Sequence, residues 1–285
     1  MKNINLLILT LICLGAFSLS AAEKRSMPKG LVAHYTFDTT IAGGWTPCKI
    51  NTNNNAKISG TRWAQGWNKA AYSLRPVSSI TIPDGKHFKK SRFTLAMHIK
   101  TYKVEDASRI IFDKGRSQGY TLRVLGSAYS GAADKGKLCF EIQGKRCFSD
   151  RPINDSAWYN VILTVDEKYA RMYIDDEQQK KPAMLKKAFT AVDADLIVGV
   201  RQEKKVARKK KRGERVGFEG FVDELMIFNR ALSPQEVADA FYCSIPHYNP
   251  KQVRGRMRDL DSLLERKLIT KDFHTRKLKE LSVEE

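Results

Sequence analysis

Gly217–Tyr242 reads GFEGFVDELMIFNRALSPQEVADAFY, and the way this stretch folds decides the rest of the chain. Phe221, Leu225 and Ile227 are apolar and β-favouring, Phe218 and Phe228 flank them, and Asp223 and Glu224 sit in the middle. That composition predicts a strand buried on at least one face. Asn229 and Arg230 then make a turn. Ser233-Pro234-Gln235-Glu236 is a capping box with proline at the first helical position, so a short helix starts there. Val237, Ala240 and Phe241 give that helix one apolar side to lay on the domain.

Upstream, period two dominates. Ala33, Tyr35 and Phe37 alternate with Val32, His34 and Thr36; Phe93, Leu95, Met97 and Ile99 alternate with Thr94, Ala96 and His98; Tyr159, Val161, Leu163 and Val165 alternate with Asn160, Ile162 and Thr164. Further strands are predicted at Ser79–Ile82, Arg109–Phe112, Tyr120–Leu125, Lys137–Ile142, Ala170–Ile174 and Leu196–Val200. No long amphipathic helix interrupts them. Many short strands without helical crossovers mean an all-β antiparallel sandwich rather than a parallel α/β sheet.

The closing strand, turn and capped helix resemble the final signature of the laminin-G-like, concanavalin A-like lectin/glucanase superfamily, a phrase of the type G-x-I-D-E-V-R-I-Y-N-R-A-L-S-x-x-E-I. The resemblance extends upstream. Leu31–Asp38 looks like the family's opening L-x-x-x-Y-x-F-D, Gly66–Leu74 like its G-x-x-G-x-A-x-x-F segment, Trp158–Val161 like W-x-H-V and Met172–Asp175 like x-Y-V-D. It implies a concanavalin A-like two-sheet jelly roll over residues 23–245, with Trp158 at a core packing position.

The flanks read differently. Residues 1–22 carry one lysine, the apolar run Leu6–Leu19 and the small residues Ser20, Ala21 and Ala22, the pattern of a cleaved secretory signal peptide whose apolar core is too short to span a membrane. The expectation is a secreted or periplasmic, cell-envelope protein. Residues 246–285 form a linker and a helical hairpin, with Leu260, Leu263, Leu264 and Leu268 on one helix and Leu278 and Leu281 on the next. Leu263–Leu281 resembles the short C-terminal helical pair called SHOCT. Such helices cannot bury their apolar stripes alone, so residues 260–281 are expected to dock on the sandwich, self-associate or meet a protein partner.

Export makes Cys48, Cys139, Cys147 and Cys243 candidates for two disulfides, with three connectivities open from sequence; the alternative is four free, buried thiols. Cys139 and Cys147 flank a hairpin turn, which leaves Cys48 with Cys243, a pairing the resembled fold favours because its terminal strands lie side by side.

The formal charge of +19 comes from 50 lysines and arginines against 31 aspartates and glutamates. Residues 201–215 carry nine basic residues against Glu203 and Glu214, a run expected to form an extended loop. Its Lys209, Lys210, Lys211 and Arg212 would attract polyanions such as acidic glycans, or be simply solvated. Export argues against nucleic acid as the partner, and no aromatic residues interleave to stack bases.

Chemistry-bearing patterns are sparse. The resemblance implies one structural calcium ion between the opening and closing strands, held by Asp38 and Asp223 with nearby carbonyls. The alternative is that Asp38 caps a turn and Asp223 accepts backbone hydrogen bonds. Trp45 and Trp63, in a loop-rich span, are candidates to stack on a sugar face, or else to pack. The E-x-D-x-E motif of the superfamily's glucanases is absent from the sequence, the histidines show no zinc spacing, and no nucleophile motif occurs. The sequence therefore predicts a non-catalytic, lectin-like domain that binds carbohydrate or another extracellular ligand, with an assembly module acting through the C-terminal helices as the alternative.

Overall fold

The structure, a computed structural model, describes residues 26–244 except 86–88, 103–105, 116–117, 131, 154–155 and 200–215, together with helical residues scattered between 257 and 278. The signal segment 1–22 and the basic run 201–215 lie outside the described residues.

In chain order the strands are β1 (Leu31–Tyr35), β2 (Trp45–Thr46), β3 (Ala56–Ser59), β4 (Arg62–Gln65), β5 (Ala70–Leu74), β6 (Ser79–Ile82), β7 (Phe93–Thr101), β8 (Arg109–Lys114) and β9 (Tyr120–Val124). They continue with β10 (Leu138–Ile142), β11 (Lys145–Phe148), β12 (Trp158–Val165), β13 (Tyr169–Ile174), β14 (Glu177–Gln178), β15 (Ala183–Met184), β16 (Leu196–Gly199), β17 (Val216–Gly217) and β18 (Gly220–Phe228). One sheet runs β14-β13-β12-β7-β18-β5-β4, with β1 also on β18 and β15 on β13; the other runs β11-β10-β9-β8-β16-β6-β3-β2, with β17 on β8. The chain is thus a two-sheet β-sandwich, antiparallel but for the β8–β17 pair, as its alternation predicts, and of the concanavalin A-like jelly-roll type that the resemblance implies.

Within Gly217–Tyr242, β18 is an interior strand of the first sheet. β18 lies against β7 along one edge and shares its other edge between β5 and β1. Val222, Leu225 and Ile227 enter the core between the sheets, while Met226 and Phe228 face the opposite side. Val222 and Leu225 are an odd number of residues apart, so strict alternation would send them to opposite faces. A bulge resolves the conflict: the register with β7 shifts between Asp223 and Met226, and Glu224 takes φ 47°.

The outer face of this sheet is roofed by helix α1 (Pro234–Cys243), which packs Val237, Ala240 and Phe241 on Ala96, Ile162, Tyr173, Met226 and Phe228. Its capping box forms as predicted, Glu236 N–H donating to Ser233 Oγ at 3.3 Å and Ser233 N–H to Glu236 Oε2 at 3.0 Å. Arg230 donates to both Glu236 oxygens and holds that carboxyl down at about 2.

The expected disulfides do not form: none of Cys48, Cys139, Cys147 and Cys243 is disulfide-bonded. Cys139 and Cys147 do lie on the neighbouring strands β10 and β11, but the register pairs Cys139 with Phe148 and Phe140 with Cys147. Offset by one residue, the two thiols project to opposite faces. Cys48 packs between the sheets, whereas Cys243 belongs to the helix on the far side of the first sheet. Burial pushes the Cys147 thiol up to about 12 and raises that of Cys139, so neither is poised for thiolate chemistry.

In the C-terminal segment, the described residues Leu260, Asp261, Leu264, Glu265, Lys271, His274, Thr275 and Leu278 are helical, and His274 Nε2 lies 2.7 Å from Asp261 Oδ1. The remaining positions of the SHOCT-like pattern lie outside the described residues. Among the described residues no helix is long and apolar enough to cross a membrane.

If the helical roof holds the outer face, Phe241→Ala lowers unfolding stability by about 3 kcal/mol through lost burial and a cavity. Ser233→Ala costs about 1 kcal/mol through the lost cap. Urea unfolding curves for both variants check the ranking.

Candidate functional site

The region around the β4–β5 hairpin gathers most of the residues singled out from sequence. Its turn, Gly66–Lys69, closes with Gly66 N–H donating to the Lys69 carbonyl at 2.9 Å. Two aspartates from the ends of the domain clasp it. Asp38 Oδ1 accepts from Ala70 N–H at 3.2 Å, and Asp223 Oδ2 accepts from Asn68 N–H at 3.0 Å. Asp223 Oδ1 also takes the N–H of Glu224, at 2.8 Å. Gly66 is required by close approach, because a Cβ there would stand 2.6 Å from Asp223 Oδ2 and from the Ala70 carbonyl oxygen.

The bulge brings Glu224 into the same cluster. Its carboxylate accepts from Asn68 Nδ2 at 3.2 Å and meets His34 Nε2 at 2.5 Å. Asp223 is fully buried. Burial pushes its carboxyl up to about 8, the nearby Glu224 and Asp38 carboxylates push the same way, and the two main-chain N–H donors oppose them. Beside the cluster, Trp67 stacks on His98 with centroids 4.6 Å apart and donates Nε1–H to the Ser244 carbonyl at 3.0 Å, tying the hairpin to the end of α1.

Asp38 and Asp223 thus grip one turn. Both also accept main-chain hydrogen bonds, as the alternative reading required. The pair suits a hard cation in charge, being two adjacent carboxylates with no basic side chain ion-paired to either among the described residues. The side-chain donor count is short, since among the described residues no group of three or more His, Cys, Asp or Glu could hold a metal. Main-chain oxygens would have to complete the shell.

The two candidate tryptophans occupy the terminal strands β4 and β2 of their respective sheets. The chain passes from β3, the neighbour of β2, to β4 through Gly60 and Thr61, so both indoles flank one lateral edge of the sandwich. Trp63 is 57% exposed and open to a ligand. Trp45 is half-buried, and the Lys57 ammonium sits 5.1 Å over its ring, which leaves less of it to offer. Trp67 packs, whereas Trp158, which the resemblance places in the core, is only half-buried and belongs to neither core cluster. Lys209, Lys210, Lys211 and Arg212 lie outside the described residues.

A concavity of about 270 Å³ opens at the β12–β13 turn, lined by Arg92, Asp166, Glu167, Lys168, Tyr169 and Arg171. Four of its five charged side chains pair internally, Arg92 with Glu167 and Arg171 with Asp166, each at 2.5 Å. Arg171 also covers the Tyr169 ring at 4.9 Å, so this pocket has little left to offer a ligand.

Comparison with known proteins agrees with this architecture. The family model for the concanavalin A-like lectin/glucanases superfamily matches residues 77–238. The binding domain of Paraclostridial Mosquitocidal Protein 1 superposes with a TM-score of 0.57 at 16% identity, over 76% of this chain and 53% of that one. Domain 4 of AbnA, a GH43 extracellular arabinanase from Geobacillus stearothermophilus solved with arabinotriose, gives 0.53 at 20% identity, over 74% of this chain and 97% of that one. The binding domain of Botulinum neurotoxin DC, solved with rat synaptotagmin II, gives 0.56 at 8% identity, over 76% and 52%. This chain thus spans about half the length of the toxin domains but matches nearly all of the arabinanase domain. At these identities the likeness establishes the fold. No curated protein sequence matches the chain at a significant level.

The raised Asp223 carboxyl gives a signed pH dependence. Its stabilising contribution is fully present below the ordinary aspartate pKa of about 4 and is lost as pH rises through the folded-state value. In a chelator, unfolding stability should fall across that window, up through about pH 8, more steeply in the native protein than in Asp223→Asn. Added calcium, by holding the carboxylate ionised, should flatten the difference. Identical pH profiles for the two proteins would show that burial of Asp223 carries no such cost.

Proposed function

The chain belongs to the concanavalin A-like lectin/glucanase superfamily, and from that premise we propose that it is an exported, non-catalytic lectin-like module binding carbohydrate, acidic glycans in particular. The observation that carries the proposal is the exposed indole of Trp63, on a hairpin whose turn is gripped by Asp38 and Asp223. Sugar rings present a C–H face that an aromatic plane can cover, and such a contact works best when the ring is held rigidly before the ligand arrives. Asp38 and Asp223 would hold a structural calcium ion, which would neutralise the half-buried and the buried carboxylate and stiffen that hairpin. Trp45 supplies a lesser contact on the same edge. The Lys209–Arg212 run adds attraction for anionic ligands, the basic excess of the chain being concentrated there.

The neighbours named above are binding domains or an accessory domain of an enzyme, and one of them was solved with a sugar. This supports binding rather than catalysis. A secreted or cell-envelope location follows from residues 1–22 read as a signal peptide. A second reading, assembly or protein binding through residues 260–281, draws on the helical residues there and the His274–Asp261 contact, which joins positions thirteen residues apart.

A glycan-array screen of the mature protein, with and without calcium and at two salt concentrations, tests the proposal. Binding to acidic glycans that weakens with salt, falls about tenfold in Trp63→Ala and loses its salt sensitivity when Lys209, Lys210, Lys211 and Arg212 are neutralised would support it. Absence of binding under every condition, with self-association lost on removal of residues 246–285, would favour the assembly reading instead.

A further inference from the structure

The outer face of the first sheet is covered only in part. Under α1 lie Ala96, Ile162, Met226 and Phe228, and the next row, Asn160, His98 and Asp223, is roofed by Trp67. One row further on, the registers place Trp158 opposite Lys100, Lys100 opposite Phe221, Phe221 opposite Ser73 and Ser73 opposite Arg62. These five residues cross β12, β7, β18, β5 and β4 on one face, because their chain neighbours Tyr159, Ile99, Val222 and Tyr72 point into the core.

This row is open. Trp158, Lys100, Phe221 and Ser73 are half-buried, Arg62 is exposed, and none of the five belongs to either core cluster. The aromatic rings form a continuous surface: Trp158 and Phe221 have centroids 6.1 Å apart, and Tyr102, 43% exposed, meets Phe221 edge-on at 5.6 Å. Lys100 Nζ rides 5.6 Å above the Phe221 ring. Across the strands the chemistry reads aromatic, cation, aromatic, hydroxyl, cation over about 19 Å, four strand spacings. Glu219, whose main-chain carbonyl accepts from Tyr102 N–H, has its carboxylate paired with Arg109 at 3.5 Å.

We infer that this row is a carbohydrate-binding surface separate from the Trp63 edge, and that its ligand is a linear acidic polysaccharide laid across the strands. Sugar faces stack on Trp158 and Phe221, and carboxylates pair with Lys100 and Arg62. Ser73 lies between the two halves as a hydroxyl that can both donate and accept. A row of rings and cations spaced over five strands suits a polymer better than a compact sugar, which would leave most of the strip unmatched. The inference rests on the lectin-like reading and names a surface and ligand class for it.

The test titrates the full chain with polygalacturonate and with neutral galactan, comparing the native protein with Phe221→Ser, Lys100→Gln, Tyr102→Ala and Trp63→Ala. Phe221→Ser should weaken polygalacturonate binding about tenfold and Lys100→Gln about fivefold, the latter also lowering the salt dependence, with unfolding midpoints retained. Should Phe221→Ser fail to fold, Lys100→Gln and Tyr102→Ala, both at solvent-facing positions, provide the same readout. Polygalacturonate binding that ignores all three row variants but is lost in Trp63→Ala would overturn this surface while leaving the lectin-like reading intact. Equal binding of galactan would overturn the acidic class. Failure of the native protein to bind either polymer or any arrayed glycan would remove both the row and the reading beneath it.

Discussion

The bulge at Glu224 is the constraint on which the rest of the structure depends. β18 must serve two cores at once, the inter-sheet core through Val222, Leu225 and Ile227 and the helical roof through Met226 and Phe228. Its sequence supplies those residues with an odd interval in the middle, and only an extra residue in the strand reconciles them. The residue taken out of register is an acid lying next to another acid. The kink therefore delivers Asp223 and Glu224 together to one buried spot, where they bind the β4–β5 turn and His34. Packing and site chemistry are settled by the same irregularity.

Strand identity was legible because period two is a strong signal where a strand has one core face and one other. β6 spans Ser79–Ile82 as predicted, and β8, β9, β10, β13 and β16 fall within two residues of expectation. Short edge strands such as β2, β14 and β15 carry too few residues for a period to register. β11 was read only as one arm of a hairpin, and that is where the disulfide expectation failed. Adjacency was visible from the turn, but the one-residue offset that sends Cys139 and Cys147 to opposite faces belongs to the register, which turn spacing alone does not fix.

The site was legible by halves. Asp38 and Asp223 could be placed together because opening and closing strands are neighbours in the resembled fold, and they do clasp one turn. Glu224 and His34 read from sequence only as residues of the closing and opening strands, since a charged residue in a strand gives no sign that a bulge will turn it toward a partner. The tryptophans needed burial rather than pattern: Trp67 is engaged by His98 and Ser244, while Trp158, placed in the core by resemblance, stands half-open on the outer face. A conserved-looking aromatic position can serve packing in one sandwich and surface in another, because the same strand residue is inside or outside according to what is laid over its sheet.

What is laid over the sheet also sets what the surface can do. A bare outer face would expose Ala96, Ile162, Met226 and Phe228, an apolar patch that invites association. The capped helix removes that liability, and Trp67 closes the seam between helix and hairpin. What remains uncovered is a strip in which each ring adjoins a cation or another ring, polar enough to stay wet. α1 runs to Cys243, where Ser244 N–H bonds to the Phe241 carbonyl and the Ser244 carbonyl accepts from Trp67 Nε1–H. The helix and Trp67 thus cover the apolar part of the face, and the aromatic and cationic row lies beside them.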